Sequence, residues 1–115
     1  MLSPEDIAHI AHEASRAYSD VLGDIQHDPW ETAPEWQRRS AIDGVIYHFN
    51  NPFASAAMSH ANWLSVKVAE GWTYGEERDD VAKTHPYVLP YEELPDAIKL
   101  KNNLFMAVVD VFRPE

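Results

Sequence analysis

Residues 55–75 read SAAMSHANWLSVKVAEGWTYG, a stretch that sets the fold class and holds the first candidate binding residues. Ser55 is a good N-cap, and its hydroxyl can accept from a free amide of the first turn. A helix is predicted from about Ser55 to Glu70, closed by Gly71. Ala57, Ala61, Leu64 and Val68 recur at helical spacing and are predicted to form its core stripe. His60, Trp63 and Lys67 follow at i, i+3, i+7 and form a second stripe beside it.

Working upstream, Asn50-Asn51-Pro52 breaks the chain, and a helix from about Pro34 to Phe49 precedes the break. Its predicted core face is Ile42, Val45, Ile46 and Phe49. Trp36, Ser40, Asp43 and Tyr47 run along the other side, so two aromatics there need cover from the chain, a partner or a ligand. A loop through Asp28-Pro29-Trp30 separates this helix from the first one. That helix is marked by Ser3 as N-cap, Pro4 at its first position, and Glu5 and Asp6 at the positive end of its dipole. Ile7, Ile10, Ala11, Ala14, Tyr18 and Val21 give its apolar face, with Gly23 as the stop. His9, His12 and Arg16 are predicted to lie opposite.

Downstream, residues 72–91 lose periodicity and read as a long ordered loop, with room for one short strand pair. Loops of this length in a compact domain are often functional. A last helix is expected from about Pro95 to Phe112, with Leu94, Ile98, Phe105, Val108 and Phe112 on its apolar face. Lys101 interrupts that face and must snorkel or meet an anion. The expected architecture is therefore mainly α: one domain over residues 1–115, four helices and a long loop.

Composition narrows function. The chain has 115 residues, 45% hydrophobic, which suits a single core. No run approaches a membrane span, and the N-terminus lacks a basic-then-apolar leader, so a soluble, cytoplasmic protein without membrane partners is expected. Cysteine is absent, which removes disulfides and thiolate chemistry. A net charge of −10 without a basic cluster argues against nucleic-acid binding. An anionic small molecule would need a locally positive pocket.

The string Gly71-Trp72-Thr73-Tyr74-Gly75, Asp79-Asp80, Lys83, His85-Pro86, Pro90-Tyr91 and Leu94-Pro95, with Trp63 nine residues before the Gly-Trp pair, resembles the ryanodine-receptor repeat (RyR) domain. Upstream, His12-Glu13 with Arg16, Pro29-Trp30, Trp36-Gln37, Ser40-Ala41 and Gly44-Val45 resemble the stand-alone bacterial and phage members. The resemblance covers about residues 5–112. Lys101-Asn102 departs from the Lys-Asp often found in those members, which weakens any role needing a carboxylate there. The resemblance implies a binding module for nucleotide-derived ligands such as adenine nucleotides, cyclic nucleotides or ADP-ribose-like signals. In the animal channels the repeats pair about a pseudo-twofold axis, so a homodimer is also implied.

On this reading the ligand-binding residues are Trp63, Lys67, Trp72, Tyr74, Arg78, Lys83, His85 and Lys101. Trp72 would stack a base, Tyr74 would orient it, and the cations would meet an anion; stacking on an aromatic is worth about 1–3 kcal/mol per base. His12, Arg16, Trp30, Trp36, Ser40 and Tyr47 are candidates for an interface or for secondary ligand contacts. Bland readings stand beside these. Trp63 and Trp72 also suit core aromatics that pin the loop. Asp79 and Asp80 suit loop bracing, and His85-Pro86 a turn held by a histidine hydrogen bond. His9, His12 and Glu13 lack a further ligand, so neither a metal nor another cofactor is expected. No serine sits in a nucleophile elbow, and no enzyme is expected. The alternative function is a protein-interaction module in which Trp30, Trp36 and Tyr47 are exposed and dock a partner chain.

Overall fold

The computed structural model describes residues 2–23 and 27–113; residues 1, 24–26 and 114–115 of the expected 1–115 domain lie outside the described residues. Four helices form in chain order: α1 (Pro4–Leu22), α2 (Glu35–Asn50), α3 (Ala56–Ala69) and α4 (Asp96–Val111). Two short strands, β1 (Thr73–Tyr74) and β2 (Thr84–His85), and a 3-10 turn at Tyr91–Glu93 lie between α3 and α4. The fold is mainly α. Among the described residues, no helix is long and apolar enough to cross a membrane.

Local chemistry explains the boundaries. The Ser3 hydroxyl accepts from the Asp6 amide at 3.1 Å, and the Asp6 carboxylate accepts from the Ser3 amide at 3.1 Å, a capping box. Those bonds hold the Asp6 carboxyl below its ordinary pKa. Gly23 closes α1 at φ 70°, in the left-handed region that glycine tolerates. Ser55 caps α3 by accepting from Met58.

The apolar core joins α1, α2 and α4 around Ile7, Ala8, Trp30, Val45 and Val109, with Ile42, Phe49, Phe105 and Phe112 packed against it. Several predicted core positions lie elsewhere. In α3, Ala61 and Val68 are exposed, while the neighbouring stripe of His60 and Lys67 is buried. The reason is which side of α3 meets the rest of the chain: small alanines leave little to pack, whereas the His60–Trp63–Lys67 side faces α4 and the loop. Ile10, Val21 and Ile46 are also exposed, and His12, expected on the outer face of α1, is buried. Its imidazole stacks edge-on against Trp30 and donates from Nε2 to the Asp28 carbonyl at 2.7 Å.

The two strands pair in parallel, Thr73 with Thr84 and Tyr74 with His85. Gly75 is required there, because a Cβ would come within 2.6 Å of Thr84 Cβ. Asp79 braces the connection by accepting from the amides of Val81 and Ala82, as expected of a loop aspartate.

Candidate functional site

A cavity of about 250 Å³ lies where all four helices meet the loop. Its walls carry aromatic rings (Trp36, Trp63, Tyr87, Phe105) together with two ammonium groups, Lys67 and Lys101. Both lysines are buried. Burying an ammonium is costly, so each needs an anion or a ring face nearby. Lys67 Nζ donates to Glu70 at 3.0 Å and sits 5.3 Å from the centre of the Trp36 ring. Glu70 neutralises one of these ammoniums and Asp43 also lines the cavity, so its walls carry both signs of charge.

Trp36 is the partition of the site. One side of its surroundings is the cavity; on another lies a second hollow of about 240 Å³, which shares Trp36, Asp43 and Lys67 with it. The Trp72 ring packs at 4.6 Å from the Trp36 ring, and the Arg78 guanidinium lies 4.8 Å from it. Arg78 also forks onto Asp80 at 2.9 and 3.1 Å. That pairing, with help from the Trp36 indole, holds the Asp80 carboxyl below the usual range.

His85 closes one wall. Its ring contacts Trp36, Trp63 and Trp72, and its Nδ1 accepts from the Tyr87 amide at 3.0 Å. Accepting at Nδ1 fixes the neutral tautomer with the proton on Nε2. Burial, then the nearby charge of Arg78, pushes its pKa down to about 4. Burial also lowers His60, which donates to the Leu89 carbonyl at 2.7 Å, and His48, whose Nε2 lies 3.0 Å from the Ser59 hydroxyl. These imidazoles are neutral fasteners between elements near neutral pH.

The structure sorts the sequence candidates. Trp63, Lys67, His85 and Lys101 line the cavity, joined by His12, Trp36 and Ser40 from the secondary set. Trp72 and Lys83 line the second hollow instead. Trp72 is 4% exposed, so it does not present its ring to solvent. Lys83, at φ 58°, donates to the Glu70 carbonyl at 2.8 Å and ties the loop to the end of α3. Tyr74 is half exposed and, like Arg78, is not among the residues lining either hollow. Arg16 pairs with Glu13 and donates to the His27 carbonyl. Burial works to raise the Glu13 pKa, but the Trp30 amide and Arg16 hold it below the ordinary value. Tyr47 is partly buried beside His48.

Two expectations of exposed aromatics are corrected. Trp30 is 6% exposed and belongs to the apolar core, stacked on His9. Trp36 is covered by Trp72 and Arg78 of the same chain, so its cover comes from the loop. Sequence reading also passed over Gln37, Asn62 and Tyr87, which all line the cavity. Gln37 had a signal: it precedes Ser40, Ala41 and Gly44 at helical spacing on one face of α2.

A protein-family model described as RyR domain matches residues 46–109. The match spans the end of α2, all of α3, the loop and most of α4. It therefore includes Trp63, Lys67, Trp72, His85 and Lys101, while His12, Trp36 and Gln37 lie before it.

Proposed function

The chain belongs to the RyR domain family, and from that premise we propose that it is a binding module whose central cavity takes a small, flat, anionic ligand derived from a nucleotide. The observation that carries this reading is one cavity that combines Trp36 and Trp63 with the buried ammoniums of Lys67 and Lys101. A π-rich wall suits a base and a cation suits a phosphate. Sites for drug-sized ligands usually span about 300–1,000 Å³. At about 250 Å³ the cavity suits a mononucleotide-sized molecule, and a longer ADP-ribose-like ligand would extend into the hollow beyond Trp36. In this reading Trp72 supports Trp36 from behind, and the base meets Trp63 and Trp36. No catalytic step is assigned to the site.

Thermal denaturation with 5′-mononucleotides, cyclic nucleotides and nucleosides tests the reading. A ligand at 100 times its Kd stabilises by about 2.7 kcal/mol, a shift of several degrees for a domain of this size. No shift with any of them at millimolar concentration would overturn it.

A further inference from the structure

Three residues of the cavity walls carry a buried polar atom without a hydrogen-bond partner among the described residues: Trp36 Nε1 and Gln37 Oε1 on α2 and Asn102 Nδ2 on α4. The Trp36 indole lies towards the Asp80 carboxylate, which leaves the two amides. Folding normally satisfies such groups, and leaving one buried and unmade costs more than replacing it by an apolar side chain of the same shape. Gln37 Nε2 lies 3.3 Å from His27 Nδ1, and Oε1 is the end of the amide without a partner among the described residues. Asn102 lines the same cavity as Gln37, Lys67 and Lys101. An acceptor on one helix and a donor on another thus belong to residues that border one space.

We propose that Gln37 and Asn102 are the specificity-determining pair of this site. Gln37 Oε1 accepts from a ring N–H or exocyclic amine of the ligand, and Asn102 Nδ2 donates to an acceptor oxygen or ring nitrogen. The pair narrows the ligand to a molecule carrying both an N–H donor and a hydrogen-bond acceptor. An apolar ligand would satisfy neither group, and inorganic phosphate would satisfy only the Asn102 side. This inference rests on the binding reading above and deepens it. It also explains why the chain tolerates two unsatisfied amides: they are matched when the ligand is present.

Ser19 provides an internal control. Its hydroxyl is fully buried and likewise unpartnered among the described residues, but it lies in α1 away from the cavity lining. The experiment measures ligand-free melting temperature, and affinity for AMP, GMP, CMP and UMP, for Gln37→Met, Asn102→Leu and Ser19→Ala. Removing an unsatisfied group should leave each ligand-free variant as stable as the parent or raise its Tm by about 4 °C. Gln37→Met and Asn102→Leu should bind the preferred mononucleotide about tenfold or more weakly, and Ser19→Ala as the parent does. Melting of the first two several degrees below the parent, or binding at parental strength, would overturn the pair's assignment. If the parent binds none of these mononucleotides, nor any cyclic nucleotide or nucleoside, the binding reading falls, and the ligand-free melts still decide the inference: a rise supports two groups kept for a polar ligand, a fall makes them structural.

Discussion

The domain has two interiors that differ in kind. Between α1, α2 and α4 the buried side chains are Ile7, Val45, Val109 and Trp30, an apolar cluster that accounts for itself by removal of hydrocarbon from water. Between α2, α3, α4 and the loop the buried side chains include His60, Lys67, His85 and Lys101. A core built only for stability has no need to bury two ammoniums and two imidazoles, since well-packed hydrocarbon does as well or better. The difference is one of composition: the second interior buries charged and titratable groups where the first buries hydrocarbon, which is the ground on which a ligand is proposed for the second.

The largest expected effect tests whether the loop belongs to the structure of that second interior. Trp72→Ala should lose about 3–5 kcal/mol in urea unfolding, as truncation of a buried tryptophan does. A loss below about 1 kcal/mol would return Trp72 to the role of a presented ring. Next comes pH. His85 has a folded pKa of about 4, below its ordinary value of 6.5. The unfolded chain therefore binds a proton more readily in that window, and stability is lost as pH falls from about 6.5 towards 4. The loss is on the order of 3 kcal/mol, in the same direction as the lowered His60 and His48. Urea midpoints at pH 7 and pH 5 measure it, and His85→Gln should flatten the slope; an unchanged slope would remove His85 as the cause.

Lys101→Met should separate the interiors in a different way. Loss of a charge-assisted contact to an anion costs about 1.5–3 kcal/mol of binding, roughly tenfold to a hundredfold. Reduced stability with unchanged mononucleotide affinity would mean that the lysine serves the fold alone. The smallest effect belongs to the apolar interior: Ser3→Ala should cost about 1 kcal/mol through loss of the α1 cap, with affinity untouched. A parallel fall in affinity would show that the two interiors are not separable.

The helices were legible because their signals are local. Ser3, Pro4 and Asp6 mark one start and Ser55 another, and each is a contact between residues three apart. Which face of a helix turns inward is not local. For α3 the alanine-valine stripe and the His60–Trp63–Lys67 stripe had equal spacing, and only the position of α4 and β2 decides between them. Trp36 needed cover by its position on α2, but that the cover is Trp72 depends on a contact between residues far apart in the chain. The loop candidates, Tyr74 and Arg78 among them, looked like ligand groups because loops carry function; the structure gives Arg78 to Asp80 and the Trp36 ring instead. Spacing alone put Gln37 on the face of Ser40 and Gly44, but that it and Asn102 lack partners could not be read from sequence, since a missing partner is a property of the folded interior.

On the proposed function the polar interior, and not the apolar one, holds the ligand. The most direct measurement is a ¹H–¹⁵N NMR titration with the mononucleotide that gives the largest thermal shift, followed at the tryptophan indole and Gln/Asn side-chain amides. The account predicts shifts at the indoles of Trp36 and Trp63 and at the side-chain amides of Gln37 and Asn102, with the Trp30 indole unmoved. Shifts centred on Trp30, or on Tyr74 and its exposed strand with the cavity amides silent, would contradict it.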